Sequence, residues 1–216
     1  MNIDSPKDAP VPPPRKERDR RLRVEDFLRA AERLFAEKGY RQTTMEDIAR
    51  LAEYGTGTIY RYFESKEALY GELLERKLAA YLDHLRERFD AQASPRDRLR
   101  TLVRAKMDFF RQNREFLRIF AQEFVPEATS MAAALTPEAR ELRERCLTMT
   151  REAIEEGMRS GEFRSADPVL VVTAISGLTN EILLRYLRAP EGEHIGEIEA
   201  FMTDFMERGL LAGERP

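Results

Sequence analysis

The chain is expected to fold as an all-α protein, with a small three-helix head followed by a larger helical body. Three observations carry this expectation. Apolar residues recur at helical spacing almost continuously from Arg15 to the C-terminus. Gly and Pro number only 11 each in 216 residues, and they fall where those periods start or stop. No segment shows a convincing two-residue alternation of the kind a half-buried strand needs.

Residues 1–14 are Pro-rich and lack an apolar period, so a disordered, basic and Pro-rich arm is expected over residues 1–20. A first helix is expected from about Val24 to Lys38, with Phe27, Leu28, Ala31, Leu34 and Phe35 on one face and Gly39 ending it. Thr44, with Asp47 three residues later, resembles a capping box and opens a short second helix whose buried side is Ile48, Ala49 and Ala52. A break at Glu53–Gly55 leads into a third, from Thr56 to Phe63. Ser65 caps a long fourth helix, which carries Leu69, Leu74, Leu78, Tyr81, Leu85 and Phe89 as one stripe.

The later helices announce themselves by cap-and-proline pairs. Ser94-Pro95 starts one that ends near Gln112, Thr136-Pro137 one that runs to Ser160, and Asp167-Pro168 one that reaches about Leu187. Between and after these lie helices at Glu115–Val125 and Ile195–Leu211. The count is three short helices and about six longer ones.

The whole chain carries a net charge of −3, which is unpromising for a nucleic-acid binder. The charge is uneven, however: residues 1–66 carry a net +2 and the remainder −5. Arg15, Lys16, Arg18, Arg20, Arg21 and Arg23 face only Glu17 and Asp19, and attraction to phosphate acts locally. A single thiol, Cys146, makes no intrachain disulfide and suits a reducing cytoplasm, where the protein is expected to reside. No uninterrupted apolar run reaches the roughly 18 residues of a membrane span, so no membrane partner is expected.

Two short helices joined by a tight turn form the helix-turn-helix plan, in which the second helix enters the major groove of DNA. Thr56, Thr58, Tyr60 and Arg61 are polar and project from the start of the third helix, where base edges would be met. Arginine bridges the two acceptors of guanine, and a threonine methyl contacts thymine. Gly57 lets the backbone approach closely, while Thr44, Tyr62 and Lys66 are placed to hold phosphates. Ile59 and Phe63, four residues apart, face the head's interior.

The run from Phe27 to Leu78 resembles the DNA-binding domain of TetR-family regulators over its whole length. The likeness includes AAERLFAEKGY, the T-x-x-x-IA of the second helix, GTIYRYF in the third and SKEAL in the fourth. The resemblance implies an all-helical homodimer with a DNA-binding domain at 21–66 and an effector-binding and dimerisation domain at 67–216. It assigns base or groove contacts to Thr56, Thr58, Tyr60 and Arg61, and phosphate contacts to Thr44, Tyr62 and Lys66. The turn departs from the family pattern: Glu53 stands where Gly is usual, Tyr54 where a small β-branched residue is usual, and Gly55 where Ser is usual. Glu53 is therefore expected in left-handed backbone, with its acid close to phosphate.

In the body, the family's last two helices meet their twins in a four-helix dimer bundle. Here Val172, Ile175, Leu178 and Ile182 on one helix and Phe201 and Phe205 on the other are expected to form that face. The body's centre is rich in Phe and Met, and Met suits adaptable apolar pockets. Met107, Phe110, Phe120, Phe124 and Met149 are the candidate contacts for an apolar small-molecule effector. The expected partners are thus operator DNA as a double strand, a second copy of the chain and that effector.

Other classes fare worse. Two distant histidines and one cysteine offer no zinc set, and no catalytic residues, metal or cofactor are expected. Gly-rich phosphate loops and G-x-S-x-G elbows are absent. The alternative to a ligand-released repressor is a helical interaction module of the same shape that does not read DNA, a reading that Glu53 and Gly55 favour.

Overall fold

Three prolines open three long helices. Pro95, Pro137 and Pro168 each sit in the first turn behind Ser94, Thr136 and Asp167, whose side chains accept backbone N–H groups of the new helix. Proline has no N–H to leave unsatisfied there, and its fixed φ suits the start of a helix. A computed structural model of the chain describes residues 14–89, 94–126, 133–189 and 195–211. Its helices are α1 (Arg15–Lys38), α2 (Met45–Leu51), α3 (Thr56–Ile59), α4 (Lys66–Phe89), α5 (Pro95–Gln112), α6 (Arg114–Glu123), α7 (Pro137–Ser160), α8 (Pro168–Arg188) and α9 (Ile195–Leu210). Among the described residues the only extended pairing is an isolated bridge between Phe163 and Leu211.

Two boundaries differ from expectation. The first helix begins at Arg15, so residues 15–20 are helical rather than part of a disordered arm, whose residues 1–13 lie outside the described residues. Nothing between Arg15 and Lys38 breaks a helix, and the i,i+4 pairs Arg15–Asp19 (3.9 Å) and Glu17–Arg21 (3.2 Å) support its first turns. The third helix is shorter than expected, ending at Ile59. Beyond it the chain continues in tight turns, with Arg61 N–H donating to the Thr58 carbonyl (3.1 Å) and Tyr62 N–H to that of Ile59 (2.9 Å).

The chain divides into two compact units, Met1–Leu69 and Tyr70–Pro216. In the first, α2 packs on α1 and α3, and Phe27, Ile48, Ile59 and Leu69 are wholly enclosed. Phe27 is its centre, with its ring 5.0 Å from Tyr54, 5.8 Å from Tyr62 and 6.5 Å from Phe63.

In the second unit α5 packs on α7 and α9, α6 on α8, and α8 also on α7 and α9. The Tyr70 ring stacks on Phe116 (4.4 Å) and Phe124 (4.8 Å), and its hydroxyl donates to the Phe116 carbonyl at 2.6 Å. At the end of α7, Gly157 lies under the Phe163 ring so closely that a Cβ would fall 2.2 Å from it. Gly161 then closes the helix in left-handed backbone, φ 80°.

One expectation about hydropathy is corrected. An 18-residue window of α8 has mean hydropathy 1.3, so by length and composition this helix is long and apolar enough to cross a membrane. Asn180, Glu181 and Arg185 interrupt the apolar run, which hid this property from a search for continuous stretches. Only 28% of the window is buried, and Val169 and Leu170 stand in the open. A helix of this unit that packs on three others while keeping one side apolar and exposed suits a protein interface.

Candidate functional site

Thr44 and Asp47 cap α2 reciprocally: the Thr44 hydroxyl accepts the Asp47 N–H and the Asp47 carboxylate accepts the Thr44 N–H, each at 3.2 Å. Asp47 also binds Lys38 and Arg50. The hydrogen bond from Lys38, helped by the Thr44 N–H, holds its carboxyl down at about 2. Thr44 is exposed, and its hydroxyl proton remains available to an acceptor such as phosphate.

The turn into α3 takes the strained form expected. Glu53 has φ 63°, and it is the one non-glycine residue with positive φ among those described. Gly55 is the extended residue before α3 and supplies no side-chain cap. Tyr54 supplies what the turn otherwise lacks. Its N–H donates to the Ala49 carbonyl at 2.9 Å, its hydroxyl donates to Asp26 at 2.9 Å, and its ring packs on Phe27. The departure from the family pattern at this position therefore anchors the turn to α1. Glu53→Gly is expected to stabilise the protein by about 0.5–1 kcal/mol in urea denaturation, because relief of left-handed strain outweighs glycine's extra chain entropy. A loss of stability would mean that the Glu53 side chain makes a compensating contact.

α3 divides cleanly into two sides. Ile59 is enclosed and Phe63 buried, while Thr56, Gly57, Tyr60 and Arg61 are exposed and Thr58 half-exposed. Arg61 has no side-chain partner among the described residues, so its guanidinium is held by nothing internal. The Tyr60 hydroxyl reaches Glu46 of α2 at 3.4 Å. A Cβ at Gly57 would meet no atom within 4 Å, so the absence of a side chain there answers no need of internal packing. It leaves a flat approach for something outside.

Two residues expected to hold phosphate have internal work as well. Tyr62 is half-buried with its ring on Phe27. Lys66 donates to the carbonyls of Tyr40 (2.7 Å) and Thr43 (2.9 Å), and its ammonium lies 4.2 Å from the centre of the Tyr40 ring. That arrangement ties the start of α4 to the segment joining α1 and α2.

The second unit encloses a mostly apolar cavity of about 170 Å³, lined from α4, α5, α6, α7, α8 and α9. Phe110 and Phe120 line it as expected; Met107, Phe124 and Met149 do not. Met107 is enclosed in the core, and Phe124 stacks on Tyr70 and Phe120. Packing geometry, rather than residue type, decided which of these side chains reach the void. Val172 and Ile175, expected on an exterior dimer face, line the cavity instead. Phe201 and Phe205 are exposed and stacked on each other at 5.9 Å, with Leu178 and Ile182 half-buried.

The cavity also holds polar groups that the sequence reading passed over: Lys106, Arg143, Ser176 and Asn180 among them. Lys106 stood in plain view, four residues from both Leu102 and Phe110, as a lone cation in the buried stripe of α5. Its ammonium donates to Asn180 Oδ1 at 3.0 Å. Burial, and then repulsion by Arg143, lowers it to about 8. Burial raises the Cys146 thiol to about 11 and pushes the Tyr81 phenol up strongly, so both stay neutral at pH 7.

Comparison with known proteins agrees with this architecture. Residues 27–73 match the model of bacterial regulatory proteins of the tetR family, and residues 92–210 match that of the tetracyclin repressor-like C-terminal domain. The transcriptional repressor KstR2 of Mycobacterium tuberculosis is 29% identical over 163 residues, spanning 76% of this chain and 80% of the relative. An uncharacterized HTH-type transcriptional regulator of Bacillus subtilis, YhgD, is 27% identical over 67% of this chain and 73% of its own length. Among solved structures, the TetR-family regulator PfmR from Thermus thermophilus superposes with a TM-score of 0.64 at 26% identity, covering 88% of this chain and 99% of that one. With both of its units matched, the chain belongs to the tetR family of bacterial regulatory proteins and is a DNA-binding transcription regulator.

Proposed function

We propose that the protein is a ligand-released repressor that binds a palindromic operator as a homodimer in the cytoplasm. The observation that carries this reading is the two-sided α3: Ile59 and Phe63 hold it to the head, while Thr56, Gly57, Thr58, Tyr60 and Arg61 face outward. Thr56, Thr58, Tyr60 and Arg61 read base edges, and Thr44 and Tyr62 hold phosphates and so set register. Two such heads stand about 34–36 Å apart, one turn of DNA, when the body dimerises. An apolar effector enters the cavity of the second unit. Its higher affinity for the non-binding state supplies the free energy of release. The relative KstR2 is a transcriptional repressor, which supports the polarity. No catalytic step is part of this function.

The test is selection of bound sequences from a random DNA pool at two salt concentrations, with wild type and Arg61→Ala. A palindrome with half-sites one turn apart is expected, weakening steeply with salt. Arg61→Ala is expected to relax one position of each half-site by about 1–3 kcal/mol with little effect on nonspecific binding. No enrichment by a folded dimer would favour the alternative reading, an interaction module. The acid at Glu53, in the turn before α3, is the observation behind that alternative.

A further inference from the structure

Lys106 and Arg143 are two cations lining one apolar cavity, and they are poorly compensated there. The ammonium of Lys106 has a neutral acceptor in Asn180, and among the described residues no carboxylate pairs with it. Arg143 gives one N–H to the Ser176 hydroxyl at 3.2 Å and pairs with Glu144 at 2.7 Å, but the Glu144 side chain is 62% exposed, so the pair is screened by solvent. Cys146, between them in influence, stays protonated and adds no negative charge. From α4 the cavity receives the neutral Tyr81, and the remaining walls are largely Leu, Val, Ile and Phe.

Placing the Lys106 ammonium in an apolar cavity without a carboxylate partner destabilises a fold, and a methionine at 106 would suit the stripe of α5 better. The lowered proton affinity of Lys106 records that strain, although at pH 7 the group is still mostly an ammonium. A negative group entering the cavity would relieve such an arrangement. We propose that the effector is an amphiphilic carboxylate whose head lies on Lys106 and Arg143 and whose apolar tail lies along Leu78, Leu102, Phe110 and Phe120. This rests on the reading of the cavity as the effector site and adds the chemistry of its ligand. Asn180 and Ser176 act as positioning residues, holding the two cations toward the void.

Isothermal titration calorimetry of the full chain at pH 7 with octanoate and with octanol tests it. The two probes share one tail and differ in the charge of the head. Octanoate is expected to bind about tenfold more tightly than octanol or better, since a hydrogen bond to a charged group outweighs one to a neutral group. Lys106→Met is expected to bring octanoate to the affinity of octanol, and Arg143→Gln to reduce the preference. Lys106→Met should also melt at a higher temperature than wild type, which verifies that the variant is folded. Lys106→Gln, which keeps a polar head, serves as the second variant and should lose the preference too. Equal binding of both probes by wild type overturns the carboxylate and leaves the cavity as an apolar effector site. A preference that survives all three substitutions overturns it as well. Binding of neither probe removes the effector site itself.

Discussion

Phe27→Ala is expected to destabilise the protein by about 3–5 kcal/mol, the range for removing an enclosed aromatic ring from a core. Phe27 is fully buried and touches the three aromatic rings that hold the turn and α3 in place: Tyr54, Tyr62 and Phe63. The hole left by the ring lies between α1 and the segment that carries the side chains proposed to read DNA. Those side chains lose their fixed position before the rest of the chain unfolds, because the damage is confined to the first unit. Urea denaturation followed by circular dichroism should show the loss, and operator affinity should fall with it. A change below about 1 kcal/mol, typical of a surface site, would mean that the head does not rest on this ring.

The second large effect concerns assembly. Phe201 and Phe205 are 54% and 53% exposed, lie four residues apart on α9 and stack on each other. On α8, Val169 and Leu170 are exposed at 57% and 67%. Aromatic anchors of this kind at the centre of an interface are each worth about 2 kcal/mol or more. Phe201→Asp combined with Phe205→Asp places two carboxylates on the exposed apolar face proposed to meet a second copy. The double variant is expected to be a folded monomer by sedimentation, with unchanged helical content, and to lose operator affinity by about a hundredfold or more as the second half-site is forfeited. A dimer that persists would move the interface away from α9.

Features set by near neighbours in the chain were legible from the residues. The caps at Thr44, Ser94, Thr136 and Asp167 were expected and are present. Each depends on a side chain reaching a backbone N–H two or three residues on, and no distant part of the fold needs to be known. The inward pair Ile59 and Phe63 is legible from local spacing, whereas the left-handed Glu53 is expected only because the resembling family usually has Gly there. The start of α1 was missed because a Pro-rich segment colours its neighbourhood, although the basic run after Pro14 contains no helix breaker.

The side of α8 that faces inward was harder. A helix apolar around most of its circumference has no stripe to orient it, so Val172 and Ile175 were assigned outward when they line the cavity. Lys106 is the opposite case, a single cation in a well-defined apolar stripe, and its surroundings are set by Arg143 of α7 and Asn180 of α8, which no local pattern places beside it.

By itself, then, the sequence determined the helices, most of their caps, the helix-turn-helix and which side chains of α3 face away from the head's core. These are local, and the rules of capping and periodicity reach only a few residues along the chain. The tertiary structure alone decided which apolar side chains form core and which line the cavity, that Lys66 serves the head's own carbonyls, and that two cations share one void. Those outcomes depend on which distant helices pack together, and no short-range pattern encodes the shape of the space left between them.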